Sequence, residues 1–310
     1  MISNKYILGI DTSNYRTSAA ICDLDGNVVA SVRRLLPVNE GERGLRQSDA
    51  LFLHTVALPS IMEELGSYPL AAVGYSAYPR DVKDSYMPCF LAGASVARGV
   101  AATLGIKAYP FSHQAGHIRA AAYSCDGVKS SPNRFIAFHV SGGTTETLLY
   151  ENGLITLLGG TRDINAGQLI DRVGVEMGMR FPCGEELEQL ASGIAPTKGI
   201  KVCVNGAECN LSGIENQAKD RLRRGEDRAI VAAFTLDAVL KTVDRISENV
   251  TAQYPGLPIL YAGGVMSCQR IKNALSKKYD CYFATPEYSG DNAAGTALLA
   301  LDKHVSETRN

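Results

Sequence analysis

Tyr6-Ile-Leu-Gly-Ile-Asp-Thr-Ser-Asn-Tyr-Arg-Thr-Ser-Ala-Ala-Ile-Cys22 is the stretch on which the fold turns. Tyr6–Ile10 has the length and aliphatic content of a buried strand, Asp11 to Arg16 is a polar turn, and Thr17–Cys22 is a second strand. Asp25-Gly26 marks a hairpin into a third strand over Val28–Val32. The order then recurs: Phe135–Val140 is a strand, Ser141-Gly-Gly-Thr144 a polar turn, Thr145–Tyr150 a strand, and Asn152-Gly153 turns into Leu154–Leu158. Thr17 to Gly26 and Thr144 to Gly153 have the same spacing. A three-strand meander with a polar first turn, present twice, implies two similar domains with a cleft between them.

Outward from the two meanders, helix-like and strand-like segments alternate. Ser48–Leu65 and Ala92–Leu104 read as helices, Ala71–Tyr75 and Ile106–Tyr109 as strands, and a helix then carries His113 and His117. After the second meander the pattern predicts helices over 165–179 and 184–193, a short strand at Lys201–Val204, a long helix over Arg228–Val250 and a strand at Ile259–Ala262. A helix from Ser267 and a last helix from about Asp291 follow, with Glu307–Asn310 as a frayed end. Such alternation indicates α/β layers.

The 310 residues suit about two domains. A net charge of −1 excludes a molecule that binds nucleic acid through its overall field, so any RNA contact needs a local basic patch. Eight scattered cysteines without a CxxC pair read as reduced thiols. No signal peptide is evident from the first residue onward, and no apolar stretch reaches the roughly 20 residues of a membrane span. The expectation is a cytoplasmic protein.

Five histidines occur, and two of them, His113 and His117, stand four apart in Phe111-Ser-His-Gln-Ala-Gly-His117. On a helix that spacing stacks both rings on one face, where they can share a transition metal. The alternative is two unrelated polar residues on a helix surface. Asp291 in Gly290-Asp-Asn-Ala-Ala-Gly295 is the candidate third ligand. Two imidazoles and a carboxylate with open positions suit iron(II) or zinc. Ser141-Gly-Gly-Thr-Thr145 can converge backbone N–H groups into an anion nest, or be an ordinary hairpin turn. Asp11, Thr12 and Ser13 form the matching candidate phosphate loop of the first meander. Gly263 and Gly264 in Ala262-Gly-Gly-Val265 allow a ligand to approach the backbone at the start of a helix, or only permit close strand–helix packing. Asp163, Asn165, Gly167 and Asp171 fall at the start of one helix; Asp171 is placed to accept a ribose hydroxyl, whereas N-capping is the better reading of Asp163. Gly184 follows Pro182-Cys183 at a turn into the next helix. Lys219, Arg221, Arg223, Arg224 and Arg228 form a basic run that reads as a solvated helix face more readily than as an RNA contact.

In this order the pieces resemble one family. The stretches are Gly9-Ile-Asp-Thr-Ser13, Gly93-Ala-Ser-Val-Ala-Arg-Gly99, His113 to His117, Val140-Ser-Gly-Gly143, Asp163 to Asp171, Phe181-Pro-Cys-Gly184, Leu211-Ser-Gly213, Ala262-Gly-Gly-Val265 and Pro286-Glu-Tyr-Ser-Gly-Asp-Asn292. They resemble the tRNA threonylcarbamoyladenosine synthases of the TsaD/Kae/Qri type, once labelled M22 glycoproteases. The resemblance implies an actin-like ATPase (ASKHA) fold of duplicated ribonuclease-H-like α/β domains. On it, residues 1–110, completed by a C-terminal helix at about 291–310, form the first domain and 111–290 the second. It implies one divalent metal, iron or zinc, held by His113, His117 and Asp291. It implies ATP, ADP or an adenylate bound by His139, Val140, Ser141, Gly142, Gly143, Asp171 and Gly184. The implied reaction is an acyl transfer, carrying threonylcarbamoyl from its adenylate to N6 of a tRNA adenosine. The implied partners are tRNA and the proteins that make the adenylate and activate the synthase, with a homo-oligomer left open.

The chain departs from the family pattern around these positions. The first loop of the family reads Glu-Thr-Ser-Cys-Asp-Glu-Thr; here Tyr15 and Arg16 stand at its two later acidic positions. Ala115 stands for a Glu within the metal motif, Thr144 for a His, Cys268 for an Asn, and Ala77-Tyr-Pro-Arg80 for Ala-Gly-Pro-Gly. Arg cannot act as the base an acid would be. The pattern suggests a divergent paralog in which catalysis is in question, with a non-catalytic nucleotide- and metal-binding scaffold as the alternative. Peptidase chemistry lacks support, because Gln114 stands where an HExxH protease has its Glu.

Overall fold

The computed structural model describes residues 5–13, 15–37, 45–125, 134–285, 287–288 and 293–308. The chain divides into two compact units. One comprises Met1–Ser124, Gly153–Ile155 and Glu287–Asn310; the other comprises Cys125–Asn152 and Thr156–Pro286.

In the first unit the meander is β1 (Tyr6–Ser13), β2 (Arg16–Asp23) and β3 (Val28–Leu35). α1 (Gln47–Leu65), β4 (Leu70–Tyr78), α2 (Phe90–Leu104), β5 (Lys107–Ser112) and α3 (His113–Tyr123) follow. The sheet order is β3-β2-β1-β4-β5, with the meander antiparallel and β1, β4 and β5 parallel. β1 is a continuous apolar run because both of its faces are covered. Leu8 and Ile10 point into a core with Leu58, Ile61 and Leu65 of α1 and Ala97 and Ala101 of α2. Ile7 points the other way, into a core with Ala297, Leu298 and Leu301. The latter three lie on the C-terminal helix, Ala294–Thr308.

That helix crosses α3 with almost no space between them. A Cβ on Gly295 would overlap the carbonyl oxygen of Gly116, so only glycine allows the two backbones to approach this closely. Arg119 Nε on α3 pairs with Asp302 Oδ2 at 2.9 Å and reinforces the crossing. A boundary at 110/111 cuts ahead of α3, whereas these contacts keep α3 in the first unit. The helix end is not frayed at Glu307: its carboxylate accepts from Lys107 Nζ at 2.6 Å and from the Tyr109 hydroxyl at 3.1 Å.

The second unit repeats the plan with β6 (Arg134–Val140), β7 (Thr145–Glu151) and β8 (Leu154–Gly160), the first residues of β8 packing with the first unit. The helices α4 (Ala166–Glu176) and α5 (Gly184–Leu190) come next, then the hairpin β9 (Cys203–Asn205) and β10 (Glu208–Asn210). α6 (Ser212–Arg223), α7 (Arg228–Gln253), β11 (Ile259–Ala262), a 3-10 turn (Gly264–Ser267), α8 (Gln269–Leu275) and β12 (Cys281–Phe283) complete it. The C-terminal helix is therefore α9. Read from the β8 edge, the sheet order β8-β7-β6-β11-β12 matches the first sheet strand for strand. Its core joins Ile136 and Phe138 to Leu169 and Val173 of α4 and to Phe234, Val239 and Val243 of α7. The Tyr261 ring, 5.0 Å from Phe138, carries a buried hydroxyl satisfied by Ser247 at 2.7 Å.

The hairpin strand lies at Cys203–Asn205 rather than at Lys201–Val204, and α4 and α5 end earlier than their apolar pattern suggests. The basic run reads as a helix face without bounds and proves to lie largely on α6, while β10 and β12 have no counterpart in the sequence reading. No described helix is long and apolar enough to cross a membrane, and none of the eight cysteines forms a disulfide.

Candidate metal centre and glycine loops

α3 starts where Ser112 caps it, its Oγ accepting from Ala115 N–H at 3.0 Å. The same hydroxyl donates to Asp81 Oδ2 at 2.9 Å. Gln114 N–H donates to Pro79 O at 3.1 Å, so the segment after β4 fixes the first turn. Burial raises the Asp81 carboxyl above its ordinary value, and hydrogen bonds from Ser112, Tyr78 and the Ile155 backbone offset part of that rise. On this turn the His113 and His117 rings stand edge to face with Nε2 atoms 2.8 Å apart. His113 Nδ1 lies 3.0 Å from Asp11 Oδ1.

The imidazole pair fits a cation. Two nitrogens at about 2.1 Å from one ion stand about 3.0 Å apart at a right angle and about 3.4 Å apart at a tetrahedral angle. The observed 2.8 Å is about 0.2 Å shorter than the first of these and about 0.6 Å shorter than the second. A carboxylate behind one ring is the usual support of a metal-binding histidine. Among the described residues no group of three His, Cys, Asp or Glu side chains is arranged to hold a metal. Asp291 lies outside the described residues.

Asp11, Thr12 and Ser13 do not form an open phosphate loop. They are the last residues of β1, and all three are buried. Asp11 is engaged by His113 and by Ser13 Oγ, which donates to its Oδ2 at 3.0 Å. Thr12 Oγ1 donates to Cys89 O at 3.0 Å and accepts from Gly93 N–H at 3.2 Å. The strand continues because its polar side chains find partners inside the protein. Ala115, where the family carries an acid, is buried. Tyr15 is exposed and Arg16 half-buried.

In the second unit Ser141-Gly-Gly-Thr144 closes as a tight turn. Ser141 N–H donates to Thr144 O at 2.7 Å, and Ser141 Oγ accepts from the Gly143 and Thr144 N–H groups at 3.3 and 3.1 Å. Gly142 and Gly143 are exposed, with open space where a Cβ would stand. His139 is half-buried, in register with Glu146 and Ala262. The Val140 side chain is buried in the core, and its backbone supports Gly263. Gly263 has φ +98° and lies against the Val140 carbonyl, so a side chain there would be both strained and blocked. Gly264 is exposed with open space beside it, but it opens a 3-10 turn of four residues rather than a long helix. The aligned dipoles expected at this point are therefore missing.

Asp171 is half-buried on α4, and one of its oxygens is already used, accepting Cys183 N–H at 2.8 Å beside Gly184. The N-cap of α4 is Asn165, in a capping box with Gln168. Asp163 reaches instead to α6, accepting from Leu211 N–H at 2.8 Å, Ser212 N–H at 3.1 Å and Ser212 Oγ at 2.6 Å. Partial burial acts against its charge, but these donors outweigh it and hold its carboxyl well below the usual range. The basic run is largely neutralised on and around α6: Lys219 pairs with Glu215, Arg221 with Glu226 and Arg223 with Asp220. Arg228 donates to the Met177 carbonyl.

The sequence did not single out His54, buried on α1 with Nδ1 2.7 Å from Thr17 Oγ1, nor the Asp81–Ser112 clasp. Neither belongs to a spaced motif. The only signal for His54 was a histidine on the apolar stripe of α1.

Two α/β units with the same strand order define the actin-like ATPase class. Solved structures agree on the fold. Full-length HypF in its phosphate- and nucleotide-bound form matches with TM-score 0.63 at 11% identity, covering 98% of this chain and 56% of that one. The ROK hexokinase of Thermus thermophilus matches with TM-score 0.54 at 14% identity, covering 98% and 100%. The family model described as tRNA N6-adenosine threonylcarbamoyltransferase (TsaD) matches residues 86–298, and the chain belongs to that family. A relative of that name from Methanopyrus kandleri is 25% identical, covering 96% of this chain and 87% of its own length. Another, from Thermus thermophilus, is 29% identical, covering 96% and 93%.

Proposed function

We propose that this protein is a metal-dependent acyltransferase that moves a threonylcarbamoyl group, or a close relative of it, from an adenylate to N6 of a tRNA adenosine. Family membership supports the transfer class. The single observation that carries the metal dependence is the paired Nε2 atoms of His113 and His117 with Asp11 behind them. His113 and His117, with Asp291 as third ligand, would hold iron or zinc. A metal so held supplies Lewis-acid polarisation of a carbonyl or phosphoryl oxygen. The exposed glycine turn at Gly142 and Gly143, open where side chains would stand, is suited to the phosphate of ATP, ADP or the adenylate, with Gly264, Gly184 and Asp171 as further contacts. The adenylate is supplied by a partner enzyme, and the reading places the protein in the cytoplasm with its tRNA.

The second reading, a nucleotide- and metal-binding scaffold, is favoured by Tyr15, Arg16 and Ala115 at positions that are acidic in the family. One experiment separates the two. The protein is incubated with ATP, threonine, bicarbonate, an adenylate-forming enzyme and unmodified tRNA, and the nucleosides are analysed by mass. Threonylcarbamoyladenosine that disappears in His113→Ala and His117→Ala supports transfer. Its absence from a protein that binds nucleotide and metal refutes transfer and leaves the scaffold.

A further inference from the structure

We propose that Asp11 is a positioning residue that sets the tautomer of His113, so that its Nε2 lone pair stands ready for a divalent cation beside His117. The inference rests on the metal reading given above. A carboxylate can only accept, so the His113 nitrogen 3.0 Å from Asp11 Oδ1 is the one that carries the proton. Ser13 Oγ donates to the other oxygen at 3.0 Å, so the carboxylate cannot turn away without losing that bond. Asp11 is 1% exposed, and no bulk water competes for either contact.

The backbone beneath the ring is already fixed by the Ser112 cap, by Asp81 on that hydroxyl and by Pro79 O on Gln114 N–H. The Phe90 ring lies 5.9 Å from the His113 ring. The freedom that remains is which ring nitrogen carries the proton and which way the ring faces. Neutral histidine in water favours the proton on Nε2, the form that leaves no lone pair there for a cation. Asp11 reverses that preference. With Nδ1–H committed to Asp11, His113 Nε2 is the acceptor in the 2.8 Å contact and His117 donates to it. The sequence drew Asp11 into a phosphate loop; the geometry gives it to the histidine pair.

The test uses the full-length chain with 15N-labelled histidine. Long-range 1H–15N correlation on metal-free protein at neutral pH reads the tautomer, and zinc or cobalt competition against a chromogenic chelator reads affinity. The wild type is expected to carry the His113 proton on Nδ1. Asp11→Ala is expected to move it to Nε2 and to weaken cation binding about 10–100-fold. Asp11→Glu is expected to keep the Nδ1 proton and most of the affinity. If Asp11→Ala fails to fold, Ser13→Ala, which only loosens the carboxylate, should give a smaller loss in the same direction. A wild-type His113 protonated on Nε2 or on both nitrogens overturns the proposal, as does a folded Asp11→Ala with unchanged tautomer and affinity. A wild type that binds no cation refutes the metal reading instead, while the tautomer measurement still decides what Asp11 does to the ring.

Discussion

His54 makes the protein lose stability in mild acid by a calculable amount. It has no exposed surface, and its Nε2 has no hydrogen-bond partner among the described residues. Burial pushes its pKa from 6.5 down to about 4, with Asp11 opposing the shift only in part. The unfolded chain takes up this proton near pH 6.5 and the folded chain only near pH 4, so the unfolded state binds more protons between those values. The contribution is therefore complete above pH 6.5 and lost as pH falls toward 4. It amounts to about 2 kcal/mol at pH 5 and approaches a ceiling of about 3 kcal/mol in stronger acid. His54→Asn removes the titration and keeps an amide within reach of Thr17. Urea unfolding of both proteins at pH 7.5 and pH 5.0 isolates the effect. The variant starts less stable because of the space it leaves, but the wild type should lose about 2 kcal/mol more than the variant between the two pH values. Equal losses would refute the reasoning, because they would mean that the buried Nε2 accepts a proton as readily in the folded protein as in the unfolded chain.

Gly295→Ala drives a methyl into the Gly116 carbonyl and should cost about 3 kcal/mol, read as a lowered Tm. Gly143→Ala meets no neighbour, so its Tm should match the wild type while ATP and ADP affinity, followed by calorimetry, falls about tenfold. Asp163→Ala removes the donors' common acceptor at the start of α6 and should cost about 2 kcal/mol near neutral pH. Because the Asp163 carboxyl is held below its ordinary pKa, its stabilisation is present above that value and lost as pH falls beneath it. The variant should accordingly show a flatter acid limb in a pH series of melts.

The fold was legible in the sequence because β1 and β6 are apolar runs that each open a three-strand meander whose second turn carries a glycine, Gly26 or Gly153, and the same spacing appears twice. α6 was less legible, since its helical face is made of charges that pair locally, such as Lys219 with Glu215, and carries few apolar residues. β12 is three residues long and has no periodicity to detect. At the site, the histidine spacing predicted a shared face and the rings do meet. The role of Asp11 was hidden, because its partner stands 102 positions away and only the sheet brings them together. Asp163 misled for a related reason: it lies just before α4 in sequence, but the N–H groups it satisfies belong to α6. Val140 stands beside the glycine turn, and alternation along β6 turns its side chain into the core.

The α3–α9 crossing has a consequence for synthesis. α3 leaves the ribosome long before its glycine-to-glycine partner, and the second unit is made in between. Until α9 emerges, one side of the first sheet, with Ile7 and Ala72, lacks the cover that Ala297, Leu298 and Leu301 provide. A nascent chain stalled before Ala294 would thus present its histidine helix without a clamp and an unshielded aliphatic surface to chaperones. The helix that carries the imidazole pair is thus clamped only after Gly295 has been made.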